Sequence, residues 1–120
     1  MIGLLIVDDH AIVRQGLERL LGGRPGIDVV GTAATGEEGV DACIRMRPDV
    51  VLMDLEMPGG IDGIEATRRI QAARPTTAVV ILSSFSDGPR ILRALDAGAV
   101  GYLLKDAPAD ELERGIHSAA

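Results

Sequence analysis

Two apolar runs in this chain end on acids. "LLIVDD" closes on Asp8 and Asp9, and "VVLMD" closes on Asp54. A carboxylate at the end of a buried segment is costly unless something pairs with it. Two further runs end on different chemistry: "VVILSSF" brings hydroxyls at Ser83 and Ser84, and "GYLLKD" brings Lys105. If the first and third runs are neighbouring strands, the three carboxylates crowd one shallow pocket. Like charges that close raise one another's pKa and cost stability unless a cation joins them. Several oxygens without a His or Cys cluster select a hard ion, Mg²⁺ above all. A carboxylate, a divalent cation, a lysine and a hydroxyl suit a phosphoryl group. The Asp can act as nucleophile toward phosphorus, the cation and lysine offset charge, and the hydroxyl donates a hydrogen bond.

Each of these residues also has a plain reading when taken alone. An Asp after a strand is more often a turn or capping residue than a nucleophile, and Asp9 is placed to cap a first helix. Lys105 alone would be a solvated lysine, and Ser83 a satisfied strand-end hydroxyl. The functional reading rests on coincidence, because four strands deliver complementary groups to one edge. Elsewhere the plain readings stand. Cys43 reads as a small core filler, His10 and His117 share no metal-ligand spacing, and Arg68-Arg69 reads as a solvated helix face.

The elements that must position these groups alternate. Five short runs rich in Val, Ile and Leu read as doubly buried parallel strands: Gly3–Val7, Ile27–Ala33, Asp49–Met53, Ala78–Leu82 and Ala99–Leu104. Between them lie amphipathic stretches with helical punctuation. Val13, Leu17, Leu20 and Leu21 form one stripe closed by Gly22-Gly23. Thr35 with Glu38, and Asp62 with Glu65, stand at capping-box spacing ahead of the second and third helices. The fourth helix, about Arg90–Ala97, keeps Pro89 in its first turn and stops at Gly98; the fifth opens near Pro108 and reaches Ile116. Five β-α units with right-handed crossovers predict a doubly wound open parallel sheet of the flavodoxin-like kind, strand order 2-1-3-4-5, with five helices. Such sheets carry their sites at the carboxyl ends of the strands, near the switch in strand order.

Composition narrows the function further. With 120 residues the chain has the size of one domain, and 47 % apolar content excludes disorder. A net charge of −6 argues against this segment gripping nucleic acid itself. One cysteine excludes an internal disulfide framework. The apolar N-terminus is short, lacks a basic region and meets two acids at once, so it reads as a strand rather than a signal peptide or membrane span. A soluble cytoplasmic protein with no membrane contact is expected.

Taken together, "VDDH", "VLMDLEMP", "DGIEATRRI", "ILSS" and "GYLLKD", in this order over essentially the whole chain, resemble the receiver domains of two-component response regulators. "DGIEATRRI" and "AGAVGYLLKDA" are most similar to the subgroup with a C-terminal LuxR-type helix-turn-helix that binds DNA. The resemblance implies that Asp54 is the phosphoacceptor, receiving phosphate from a phosphohistidine on a sensor histidine kinase. It implies Mg²⁺ on Asp9, Asp54 and the backbone carbonyl of Glu56, with Asp8 acting through water. Lys105 would contact the phosphoryl group, Ser83 would follow it by hydrogen bonding, and Tyr102 would be the aromatic switch. Residues 1–120 would form the receiver domain, with a DNA-binding domain beyond Ala120 and a homodimer strengthened by phosphorylation; a stand-alone regulator is the alternative.

Two departures from the family pattern stand out. "MPGGIDG" has one extra residue between Pro58 and Asp62, which predicts an altered loop before helix three with metal ligation intact. Lys105 is followed by Asp106 where many relatives have proline, so a trans bond is predicted. Two rival functions share the fold's chemistry. A haloacid-dehalogenase-like phosphatase also uses a strand-end Asp and Mg²⁺, but it wants a second Asp where Glu56 stands, and a cap domain. An unphosphorylated interaction module, or a flavin carrier, would not keep the acid cluster, and "DDH" is hostile to a bound phosphate.

Overall fold

A computed structural model describes residues 1–120. Strands and helices alternate throughout: β1 (Ile2–Val7), α1 (Ala11–Gly22), β2 (Ile27–Ala33), α2 (Gly36–Met46), β3 (Val50–Asp54), α3 (Gly63–Ala73), β4 (Ala78–Ser83), α4 (Gly88–Asp96), β5 (Gly101–Leu104) and α5 (Ala109–Ala119). The strands pair in parallel in the order β2-β1-β3-β4-β5. This is the doubly wound order the sequence predicts.

The period-two alternation of strand side chains divides the core between the two faces. Leu5, Val7, Val51, Met53, Val79 and Ile81 pack with Ala42, Cys43, Ala66, Ile70 and Ala94, which belong to α2, α3 and α4. Their neighbours Leu4, Ile6, Val50, Leu52, Val80 and Leu82 pack with Leu21, Leu112 and Ile116 of α1 and α5. Both faces of β1, β3 and β4 are therefore dry, which is why these strands read as unbroken apolar runs. No helix is long and apolar enough to cross a membrane.

Helix punctuation follows the sequence closely. Thr35 accepts the Glu38 N–H at 3.1 Å, and Glu38 returns the bond to the Ala34 N–H. Asp62 accepts the Glu65 N–H at 2.8 Å, but Glu65 turns outward to Arg68 and Arg69 instead of closing a capping box. Asp87 caps α4 through the Arg90 N–H.

Several expected boundaries move. β3 runs one residue later than predicted, so Asp54 itself is in the sheet, paired with Leu82. Asp49 stays outside because its carboxylate accepts the Gly3 N–H at 2.8 Å. β4 extends to Ser83, β5 begins only at Gly101, and α5 continues past Ile116 to Ala119. The stripe proposed for α1 is only half right. Leu21 is buried and Leu17 packs on the core, whereas Val13 and Leu20 are 38 % and 39 % exposed, because both lie about 80–100° around the helix from Leu21, at the edge of the buried face.

The extra residue before α3 is absorbed where the chain can bend freely. Gly59 takes φ +91°, a conformation that glycine enters without a Cβ penalty. Glu37 of α2 then accepts the Ile61 N–H at 3.2 Å and holds the enlarged loop. Beyond it, a Cβ on Gly63 would lie 2.4 Å from the Asp54 carbonyl oxygen. This glycine lets α3 start directly against the end of β3.

Candidate functional site

Sheet order decides which strand ends meet. β3 lies between β1 and β4, so Asp54 stands beside the residues that follow Val7 and beside Ser83. Asp8 leaves β1 with its N–H donated to the Ala33 carbonyl and its side chain fully buried. One of its oxygens, Oδ1, accepts the His10 N–H at 2.9 Å. Asp9 does not cap α1. The residue at the helix entrance is His10, whose side chain makes no capping bond, and Asp9 turns instead toward the acids.

Lys105 directly follows β5, two strands from β3, a separation of about 10 Å. Its amide is fixed by the Ser83 carbonyl at 2.8 Å. From there its long stem carries the ammonium to 3.0 Å from Asp54 Oδ1, with Asp8 Oδ2 4.0 Å away. The Lys105–Asp106 bond is trans, as is every other peptide bond in the chain.

The electrostatics of Asp54 follow from this packing. Burial pushes its carboxyl up to about 7, the Asp8 charge adds to the rise, and Lys105 and the Glu56 N–H offset only part of it. Burial works to lower the pKa of Lys105, but its bond to Asp54 and the nearby acids raise it above the ordinary value. The lysine therefore stays charged.

Four oxygens here are buried with no hydrogen-bond partner: Asp8 Oδ2, Asp9 Oδ1, Asp54 Oδ2 and Glu56 Oε2. Buried polar atoms are seldom left so, and a cluster of them marks a place that a ligand completes. Ligand atoms of Asp8, Asp9, His10 and Asp54 lie within 4.8 Å of one another. Three carboxylates against one lysine are an incompletely neutralised set of hard oxygens, which suits a divalent ion such as Mg²⁺.

Ser83 closes β4 fully buried. Its hydroxyl donates to Glu56 Oε1 at 2.7 Å and accepts the Phe85 N–H at 3.0 Å. The Phe85 carbonyl in turn accepts the Tyr102 hydroxyl at 2.6 Å. One residue's backbone thus links Ser83 to Tyr102, whose ring lies partly buried against the core.

Of the residues singled out in the sequence, Asp8, Asp9, Asp54 and Lys105 converge directly, and Ser83 borders them through Glu56. Tyr102 stands one step further out. Two participants were missed. His10 Nδ1 lies 3.0 Å from Asp9 Oδ1, without hydrogen-bond alignment. Its position directly after two acids was the available signal. The other is the Glu56 side chain, two residues past Asp54, which accepts the Ser83 hydroxyl.

Comparison with known proteins agrees with this geometry. The family model for the response regulator receiver domain matches residues 4–117. The transcriptional regulatory protein LiaR of Bacillus subtilis is 42 % identical over 120 residues, covering 100 % of this chain and 56 % of LiaR. The response regulator UvrY of Escherichia coli is 43 % identical over 118 residues, covering 98 % of this chain and 54 % of UvrY. The chain spans about half the length of these curated relatives. Among solved structures, a LuxR-family two-component response regulator from Aurantimonas sp. superposes with a TM-score of 0.92 at 38 % identity, over 98 % of this chain and 84 % of that one. The response regulator domain of Thermotoga maritima CheB gives 0.91 at 35 % identity, over 99 % of this chain and 96 % of that one. The acid cluster, the strand order and these matches lead to one conclusion: the chain belongs to the receiver-domain family of two-component response regulators.

Proposed function

We propose that this receiver domain is switched by phosphorylation of Asp54, with the phosphoryl group supplied by a phosphohistidine on a sensor histidine kinase. The observation that carries the reading is the state of Asp54 itself. Its Oδ1 is engaged by Lys105 and the Glu56 N–H, while Oδ2 is buried, unpartnered and surrounded by groups suited to a phosphoryl anion. In the transfer, a carboxylate oxygen forms a P–O bond as the P–N bond breaks. The imidazole leaves with the bonding electrons and takes up a proton. Lys105 then offsets charge on the phosphoryl oxygens, and Ser83 supplies a hydrogen bond.

Asp9, Asp54 and the backbone carbonyl of Glu56 would hold Mg²⁺, with Asp8 acting through water. The bound ion would supply positive charge against the entering phosphoryl group and among the three acids. Receiver domains are regulatory modules rather than classical enzymes. Catalysis by this chain of its own phosphorylation and dephosphorylation is part of the proposal. Ser83 and Tyr102 would relay the modification, since both bond to the backbone of Phe85 just ahead of α4. The output would be phosphorylation-enhanced dimerisation and transcriptional control by a DNA-binding domain beyond residue 120, in the cytoplasm.

The discriminating experiment supplies a small acyl phosphate with Mg²⁺. A single phosphoryl adduct with no turnover of a generic phosphate ester is expected. Steady ester hydrolysis would favour the haloacid-dehalogenase-like phosphatase, and no adduct would favour an unphosphorylated interaction module. NMR shifts spreading over α4, β5 and α5 in wild type, but much reduced in Ser83→Ala, would support the relay. Equal shifts in both would refute it.

A further inference from the structure

Glu56 touches both ends of the proposed switch. Its N–H donates to Asp54 Oδ1 at 3.3 Å, and its Oε1 accepts the Ser83 hydroxyl at 2.7 Å. A serine hydroxyl has one proton to give, and here that proton is committed to a carboxylate in a short, charge-assisted bond. The acceptor side of the same hydroxyl is occupied by the Phe85 N–H. The single donor of Ser83 is therefore committed in the unmodified protein.

A phosphoryl group on Asp54 presents only acceptor oxygens. Ser83 cannot serve it and Glu56 with the same proton. We propose that the Glu56 side chain is a latch: a positioning residue that holds the Ser83 hydroxyl in the unmodified arrangement and must release it before Ser83 can bond the phosphoryl group. This rests on Asp54 being the phosphoacceptor.

The surroundings give the latch somewhere to go. Glu56 borders a cavity of about 710 Å³ between α3 and α4, whose walls include Met57, Ile64, Arg68, Arg90 and Arg93. Arg68 is paired with Glu65 and Arg90 with Asp87, while Arg93 has no ion-pair partner. A released Glu56 carboxylate thus shares the cavity with the unpaired Arg93 guanidinium, although the acids Asp62 and Glu65 line it as well. Its Oε2 is already buried and unpartnered, so the latched arrangement is not its best-satisfied one. The threshold for switching is then set by competition between Glu56 and the phosphoryl oxygens for one hydroxyl.

Beryllofluoride, a stable phosphoryl analogue bound by a carboxylate oxygen, tests this by calorimetric titration of the Mg²⁺-loaded protein. Glu56→Ala should bind it about tenfold more tightly than wild type, the scale of one charge-assisted hydrogen bond. Glu56→Gln keeps a neutral acceptor and should gain only a few-fold; being nearly isosteric, it also guards against a folding defect in the alanine variant. In a Ser83→Ala background the gain from Glu56→Ala should fall below about twofold, because the competition no longer exists. An equal gain in both backgrounds would mean that Glu56 acts only by repelling the anion, and would overturn the latch. So would unchanged or weaker binding in both Glu56 variants. If wild type shows no binding that Asp54→Asn abolishes, the phosphoacceptor reading fails and the latch falls with it. In the unmodified protein, NMR gives a separate check on the bond itself. The Phe85 amide should shift in Glu56→Ala, and an unmoved amide would refute the latch whatever the fate of Asp54.

Discussion

The two ends of the sheet treat buried polar groups in opposite ways. At the amino end, the buried Thr77 hydroxyl donates to the Pro48 carbonyl, and the half-buried Gln71 donates to the Thr77 carbonyl. At the carboxyl end, Asp8, Asp9, Asp54 and Glu56 each keep a buried oxygen with no partner. The amino end holds one such atom against four, Nε of Arg74 at the end of α3 just ahead of β4. Satisfied groups at the amino end serve stability. The carboxyl end holds charge that the fold leaves uncompensated, which is where a doubly wound sheet binds its ligands.

If this contrast is real, substitutions at the two ends should move stability in opposite directions. The largest effect belongs to Asp54. Its carboxyl is raised to about 7 in the fold, against about 3.9 for an unperturbed Asp, so ionisation disfavours the folded state. The protonated group's contribution is fully present below about 3.9 and is lost as pH rises through 7. Metal-free Asp54→Asn should therefore be more stable than wild type at pH 8, by about 1–3 kcal/mol, and the gain should fade by pH 5. Thermal melts in EDTA across that range measure it, and a pH-independent difference would break the comparison.

Next in size is the response to metal. Mg²⁺ at about ten times Kd should stabilise wild type by roughly 1.4 kcal/mol. Asp9→Asn should gain much less, and should melt higher than wild type in EDTA because one of three crowded charges is gone. Equal Mg²⁺ stabilisation of the two proteins would separate Asp9 from the site. The smallest effect belongs to the amino end. Thr77→Val removes a satisfied hydrogen bond and should cost about 1 kcal/mol. Denaturant titration should give the same loss with and without Mg²⁺, and any metal dependence would mean that the two ends are not independent.

Sequence patterns carried the architecture because apolar runs and caps are local signals. β3 and β4 are dry on both faces and so read as continuous apolar segments. The convergence of Asp8, Asp9, Asp54 and Lys105 was legible once strand order was inferred, since each stands at a strand end. The unread part depends on side-chain direction. Val13 and Leu20 sit on the predicted stripe of α1, but the buried face is centred on Leu17 and Leu21, which leaves them at its edge. The Ser83–Glu56 bond joins two strand ends through one rotamer, and nothing periodic marks it. His10 shares no metal-ligand spacing with His117, yet the turn after β1 folds it back onto the acids.

The central claim is that the unpaired oxygen of Asp54 is reserved for a phosphoryl group in a cation-dependent site. Intact-mass measurement after treatment with a small phosphodonor tests it directly, using wild type with Mg²⁺, wild type in EDTA, and Asp54→Asn with Mg²⁺. The account predicts one phosphoryl adduct in the first sample and none in the other two. An adduct that persists in Asp54→Asn, or forms equally well in EDTA, would contradict it.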